Sequence, residues 1–519
     1  MTETTSSLFP SPSVSFVLKK GAIAICLLAS GWAQALAPGA APEIVDKALS
    51  AAQPFGSACG EPPAGPWRWV DVMQQALCGH PLTQEAHARW QQSLAAQALS
   101  KSSAAVQTQA QLSAQAQHQA RPAPRSDVAN QTAQVHLRAS HLLADGGYQK
   151  AWAQALASQS RAAGLELDMQ IQRVLYEASE TFWQQANIES QLRVAQQHLA
   201  RARDAVRVVA AKRKEGLAIG LDEQQARLQQ LQAQASVDHL QGQRVAASVA
   251  LRTLLRLPLS SEPLALELPS LECSSAQADP FFSGLASLIR RDDLGAEAGK
   301  DEPSLNPETL DQLVAHSLRE LQAHPQRAAA VARLQTALEQ RNAATRQGRY
   351  SLSWSAVAAQ SHQAATGAPS AGSLGQVSLG LTLDIPLGDG GARQARIAQA
   401  LASEDLARAQ LEQSERQLNL QVWQASAQWL SALQQCQTQQ AAYEVSRKSS
   451  EQAKARYAAG VGTVLEWMTL QTQADQAQHR WTQARGEVWL GQLRLRRSLG
   501  QLHPAHLGVL FSAPARVMP

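Results

Sequence analysis

The chain has 519 residues, a formal net charge of +4 and only 5% aromatic residues, with Ala and Gln abundant. A near-neutral charge without a basic stripe excludes a nucleic-acid-binding surface. Long stretches without Pro and almost without Gly argue against the several compact domains that the length would suggest, and for long helices and coiled coils.

The first element is a targeting segment, residues 1–37. Lys19-Lys20 precedes the apolar run Gly21 to Ser30, and small residues follow at Ala33, Ala35 and Ala37. This order is that of a secretory signal, with cleavage expected after Ala35 or Ala37. Cys26 follows Ile25, where a lipidation signal needs a small residue, so an unlipidated mature chain is expected. The run is too short to span a membrane as a helix, and no later run reaches about 18 apolar residues. A membrane role would therefore have to come from β-strands.

Residues 38–66 are rich in Pro, Ala and Gly and read as extended. Cys59 and Cys78 flank a Pro/Gly-rich turn. An oxidising compartment favours their pairing, closing a small loop worth about 3 kcal/mol, and the alternative is two unrelated thiols. Cys273 and Cys436 suggest no role.

Residues 67–258 form one unit. Helical spacing runs from Trp67 to about Ser100. Residues 103–116 alternate, with Val106, Thr108, Ala110 and Leu112 set against Gln107, Gln109, Gln111 and Ser113, the period of a strand. A second strand is predicted over 131–143, ending at Asp145-Gly146-Gly147. From Tyr148 to about Glu215 the only Gly is Gly164 and there is no Pro, so one helix about 100 Å long is predicted. A break at Gly216–Gly220 precedes a further helix to about Arg256. After a Pro/Ser/Asp-rich connector, 259–306, the order recurs in 307–500. A helix from about Pro307 to Arg346 contains His324-Pro325. Strands are predicted over 349–360 and 376–386, the latter alternating cleanly through Val377, Leu379, Leu381, Leu383 and Ile385. Asp389-Gly390-Gly391, a long helix to Ala459, a break at Gly460–Gly462 and a helix to Leu499 follow. Residues 501–519 are a tail.

The recurrence is exact in register. His80-Pro81 and His324-Pro325 are 244 residues apart, as are Asp145-Gly-Gly and Asp389-Gly-Gly, Gly216 and Gly460, Leu221 and Leu465, and Leu251 and Leu495. A tandem duplication is the direct reading. Gly146, Gly147, Gly390 and Gly391 read as structural turn positions with positive φ, where strand passes into helix. Four strands per chain cannot close a barrel, and free edges cannot face lipid. Alternating strands suit a wall between lipid and water, so several chains donating four strands each resolve the conflict. Tyr350 and Trp354 are candidates for an aromatic belt.

In the order and spacing of the His-Pro steps, the Asp-Gly-Gly turns and the segments Gly216-Leu-Ala-Ile-Gly-Leu-Asp222 and Tyr457-Ala-Ala-Gly460-Val-Gly-Thr463-Val-Leu-Glu466, the chain resembles the TolC-like outer-membrane factor family. The likeness covers about 67–500. It implies a mainly α protein with membrane β-structure: a homotrimeric twelve-stranded β-barrel in the outer membrane, continued by a long α-helical coiled-coil tunnel in the periplasm. It further implies an exit duct without a cofactor, working with a periplasmic adaptor and an inner-membrane transporter. Within the family the likeness is greatest to the type I secretion branch, which exports RTX proteins such as cyclolysin, through an ABC transporter. Small-molecule efflux with a proton-driven pump is the alternative, and a periplasmic coiled-coil adaptor without a channel is the alternative of another class.

The resemblance also implies a periplasmic gate at the hairpin tips. Asp222, Tyr457, Gly460, Thr463 and Glu466 match its positions, Glu466 as a lining carboxylate and Tyr457 as a latch. Two departures, Gly462 where the family often has a basic residue and Thr469 where it has a second acidic ring, imply fewer latching bonds. Plainer readings stand beside these. Thr463-x-x-Glu466 is a capping box, Asp222 suits a helix first turn, and Tyr457 suits helix packing. Enzyme signatures fail: Gly460-x-Gly462 follows a helix and lacks the last glycine of a dinucleotide fingerprint, and the His residues have no zinc spacing.

Overall fold

The computed structural model describes residues 65–78, 80–119, 128–216, 219–260, 262–267, 273, 311, 314–315, 321–365, 372–459 and 461–502. All belong to the second of two units into which the chain divides, Pro54–Pro519. The predicted signal segment, nearly all of 38–66 and most of the connector and tail lie outside the described residues.

The elements are β1 (Trp67–Arg68), α1 (Trp69–Leu77), α2 (Pro81–Ser103), β2 (Gln107–Gln119), β3 (Val128–Ala144), α3 (Tyr148–Lys214), α4 (Gly220–Leu254), β4 (Leu266–Glu267), a 3-10 turn (Leu321–Ala323), α5 (Pro325–Arg346), β5 (Ser351–Ala365), β6 (Gly372–Asp384), α6 (Ala392–Ala458) and α7 (Val464–Ser498). Helices α3 and α6 each have 67 residues, about 100 Å at 1.5 Å per residue, and α4 and α7 each have 35. Both ends of α3 and α4 recur in α6 and α7 at the 244-residue offset of the sequence repeat.

The long helices start in the same way. Asp145 accepts from Gly147 N at 3.0 Å and from Gln149 N at 2.7 Å. Asp389 accepts from Gly391 N at 3.1 Å and from Arg393 N at 2.6 Å. Each aspartate thus satisfies amide groups that a helix start leaves without partners. Gly146, Gly147, Gly390 and Gly391 have φ of 67°, 84°, 61° and 88°, the left-handed region that glycine enters without a Cβ clash.

The His-Pro steps differ from the reading that placed them inside helices. His80 and His324 are N-caps, and Pro81 and Pro325 are first helical residues. Their Nδ1 atoms accept from Leu82 N at 3.3 Å and Gln326 N at 3.1 Å. Proline lacks the amide that a helix interior requires, so it starts these helices. The single helix expected over Trp67–Ser100 is accordingly two, α1 and α2. Helix α2 also extends to Ser103, so β2 starts at Gln107, later than predicted. Ser102 and Ser103 Oγ return hydrogen bonds to the Leu99 and Ser100 carbonyls and prolong the last turn.

Strands β2, β3, β5 and β6 form one antiparallel sheet in that order, with β2 and β6 at the edges. One row runs Ala110, Leu137, Ala358, Val377, and the next on the same face Thr108, Ala139, Ala356, Leu379, then His141, Trp354, Leu381. The opposite face carries Gln109, Arg138, Val357, Ser378 and rows of Gln, Ser and Thr. Leu379 is 80% exposed and Val377 79%, so the apolar face is uncovered in the single chain. No helix among the described residues is long and apolar enough to cross a membrane.

Helix α3 packs on α2, α4, α5 and α7, and α6 on α5 and α7. The largest core cluster joins Trp69, Val72 and Met73 of α1 to Leu175, Phe182 and Trp183 of α3 and Trp489 of α7. Trp69 Nε1 donates to Ser179 Oγ at 3.1 Å, so its buried polar atom is satisfied. A Cβ at Gly486 would fall 1.7 Å from Trp183 Cζ2, so that glycine is the notch that admits the indole. Phe182 is fully buried, which contributes about 1.5–3 kcal/mol.

Cys273 and Cys436, assigned no role from sequence, form a disulfide across 163 residues. It joins the connector to α6 in a small cluster with Val488 and Trp481. Trp481 Nε1 donates to Cys273 Sγ at 3.4 Å, and its ring stacks on Tyr443 and carries Arg485 over its face. Cys78 is disulfide-bonded, while Cys59, its predicted partner, lies outside the described residues.

Candidate functional site: the hairpin tips

Each long helix turns back on its shorter partner at a tip. In the first hairpin Gly216, at φ 75°, donates to the Arg213 carbonyl at 3.1 Å, and α4 starts after Ile219. In the second, the amides of Val461 and Gly462 both donate to the Arg456 carbonyl, at 3.0 and 3.1 Å. Thr463 then caps α7, its Oγ1 accepting from Glu466 N at 3.1 Å. Gly460 lies outside the described residues.

The duplication register pairs the tips position by position: Lys212 with Arg456, Arg213 with Tyr457, Asp222 with Glu466, and Glu223 with Trp467. The chemistry differs between them. In the first tip Arg213 makes an ion pair with Glu223, which also binds Arg227 at 2.7 Å. The hydrogen bond from Arg213 holds the Glu223 carboxyl below its ordinary pKa, against the opposing effect of burial. In the second tip the same two positions are a stacked aromatic pair, Tyr457 on Trp467, with centroids 5.6 Å apart and planes at 15°. Arg456 Nη1 there meets Glu466 Oε1 at 2.9 Å. Glu466 therefore completes only half of a capping box, because its carboxylate turns to Arg456. Sequence reasoning looked for the basic partner at position 462, whereas it comes from the helix before the tip.

The two hairpins are joined from α3 to both α6 and α7. Lys212 Nζ lies 4.9 Å from the Tyr457 ring centroid. Below it, Arg201 makes an ion pair with Asp475. His198 Nε2 and Thr472 Oγ1 are 2.9 Å apart. Burial, the largest effect, lowers the His198 pKa from its ordinary value. A cavity of about 180 Å³ opens between these contacts, walled by Ala205, Val208, Tyr457, Trp467 and Met468. Tyr457 and Glu466 are half-buried and Asp222 is exposed, accepting from Ile219 N at 3.3 Å. The structure thus gathers Tyr457, Thr463 and Glu466 in one tip and leaves Asp222 in the other. It adds Lys212, Arg213, Glu223, Arg456 and Trp467, which the repeat offset, carried into the tips, would have picked out.

An exposed ion pair contributes about 0.2–1 kcal/mol and an exposed cation–π contact about 0.5–1 kcal/mol. Contacts of this size are small beside the packing that holds the hairpins together.

Residues 318–501 match the family described as "Outer membrane efflux protein". No curated protein matches the sequence. Solved structures match nearly the whole described chain. A membrane protein from Pseudomonas aeruginosa is 20% identical, over 83% of this chain and 93% of its own, with a TM-score of 0.62. The outer membrane protein VceC from Vibrio cholerae is 16% identical, over 83% and 96%, with a TM-score of 0.63. The MtrE outer membrane channel of Neisseria gonorrhoeae, in its open state, is 14% identical over 84% and 90%, also with a TM-score of 0.63. The second copy thus matches the outer membrane efflux protein family, and across both copies the chain has the fold of these solved outer-membrane channels.

Proposed function

We propose that this protein is the outer-membrane exit duct of a tripartite export system, a homotrimer that works with a periplasmic adaptor and an inner-membrane transporter. The observation that carries it is the four-stranded sheet with one apolar and one polar face and two open edges, running directly into a pair of 67-residue helices. Three such sheets, joined edge to edge, close a twelve-stranded barrel with lipid outside and water inside. A coiled-coil adaptor would need no such sheet. The hairpin tips are the periplasmic entrance, with Tyr457 and Glu466 in its latch.

Cargo is protein, exported through an ABC transporter as in type I secretion. Ile25 before Cys26 supports this branch, since it disfavours lipid attachment there. The family's description favours a second reading, small-molecule efflux with a proton-driven pump. Deleting the gene separates them. Loss of a secreted RTX protein with unchanged drug sensitivity is the expected result, and drug hypersensitivity with intact secretion would reverse the assignment.

A further inference from the structure

Among the residues of the four strands only two are charged, Arg138 and Asp384. Asp384 ends β6 opposite Ser351, where the sheet meets the helices. Arg138 is exposed in the middle of β3, on the polar face. Its row holds Gln109, Val357 and Ser378. The rows on either side hold Gln111, His136, Ala359 and Gln376, and Gln107, Ser140, Ser355 and Gly380. No carboxylate stands in any of them. Elsewhere arginines face acids, as in Arg201–Asp475, Arg341–Glu404 and Arg456–Glu466. Arg138 stands instead on a neutral wall of amides and hydroxyls.

We propose that Arg138 sets the charge preference of the barrel section, favouring anions and acidic segments of cargo over cations. The inference rests on the duct reading, since only a closed trimer turns one arginine per chain into a ring. Twelve strands spaced about 4.8 Å apart and tilted about 40° enclose a radius of roughly 12 Å. A guanidinium reaching about 6 Å inward lies within roughly one Debye length, about 8–10 Å, of the axis. Three such charges acting through water and screened at that distance shift the anion-to-cation ratio at the axis by at least roughly tenfold. Ring charges of this kind are a known basis of ion preference in pores.

The test uses the full-length protein in planar bilayers under a low-salt KCl gradient. Arg138→Gln is expected to lower the chloride-to-potassium permeability ratio several-fold, and Arg138→Glu to lower it further. Arg138→Lys keeps it, and molar KCl erases the differences. Pyrophosphate added on the barrel side should block the wild type more than the Gln or Glu variant. Channels of wild-type conductance whose permeability ratio and pyrophosphate block are the same in all variants would overturn the proposal. A wild-type protein that forms no channels would instead overturn the duct reading, and this inference with it.

Discussion

At the scale of the residue, the tip contacts give the proposed latch a specific chemistry. Tyr457 is engaged through its ring, by Trp467 on one side and Lys212 on another. Tyr457→Phe keeps both contacts, so single-channel recordings should show it close to wild type. Tyr457→Ala and Glu466→Ala should open more often, by roughly two- to fivefold per chain for each contact of about 0.5–1 kcal/mol. If Phe opens as readily as Ala, the hydroxyl carries the latch and the ring does not. The residues read from sequence were those whose cause is local, as Thr463 capping α7 and Asp-Gly-Gly starting α3 and α6. Lys212 and Arg456 were missed because their partners belong to another hairpin or to the far side of a turn. A basic residue at a helix C-terminus reads in sequence only as a match to the helix dipole.

At the scale of the element, legibility follows the strength of the pattern. Strand β6 alternates large apolar residues with Ser, Gly and Thr, and its place is plain from Val377 to Leu383. Strand β2 alternates Ala with Gln, a small contrast, and its start was misplaced by the serines that prolong α2. The disulfide between Cys273 and Cys436 had no sequence signal, since only folding brings together residues 163 apart. It fastens the connector to hairpin α6–α7, and the first hairpin has no counterpart among the described residues. Cys436→Ser should cost about 2–5 kcal/mol, seen as a lower thermal unfolding midpoint. Reductant should lower the wild-type midpoint towards the variant's. Equal midpoints for both proteins without reductant would show that the bond carries no stability.

At the scale of the whole molecule, the uncovered apolar face and the open edges of β2 and β6 are unstable as a single chain in lipid, where every backbone amide needs a partner. Unboiled outer-membrane fractions should therefore run as a trimer on a denaturing gel and collapse to the monomer on boiling. A species that runs as a monomer before and after heating, or stays in the soluble periplasmic fraction, would exclude the barrel. The two hairpins have one further property. Their helices match to the residue, 67 with 67 and 35 with 35. Both tips thus end at one level, and the links from Lys212 to Tyr457 and from Arg201 to Asp475 require it. A heptad inserted into one hairpin alone would offset its tip by about 10.5 Å, further than a lysine side chain reaches. Hairpin length is therefore a shared quantity in this chain: a change in one copy keeps these links only if the other copy changes with it.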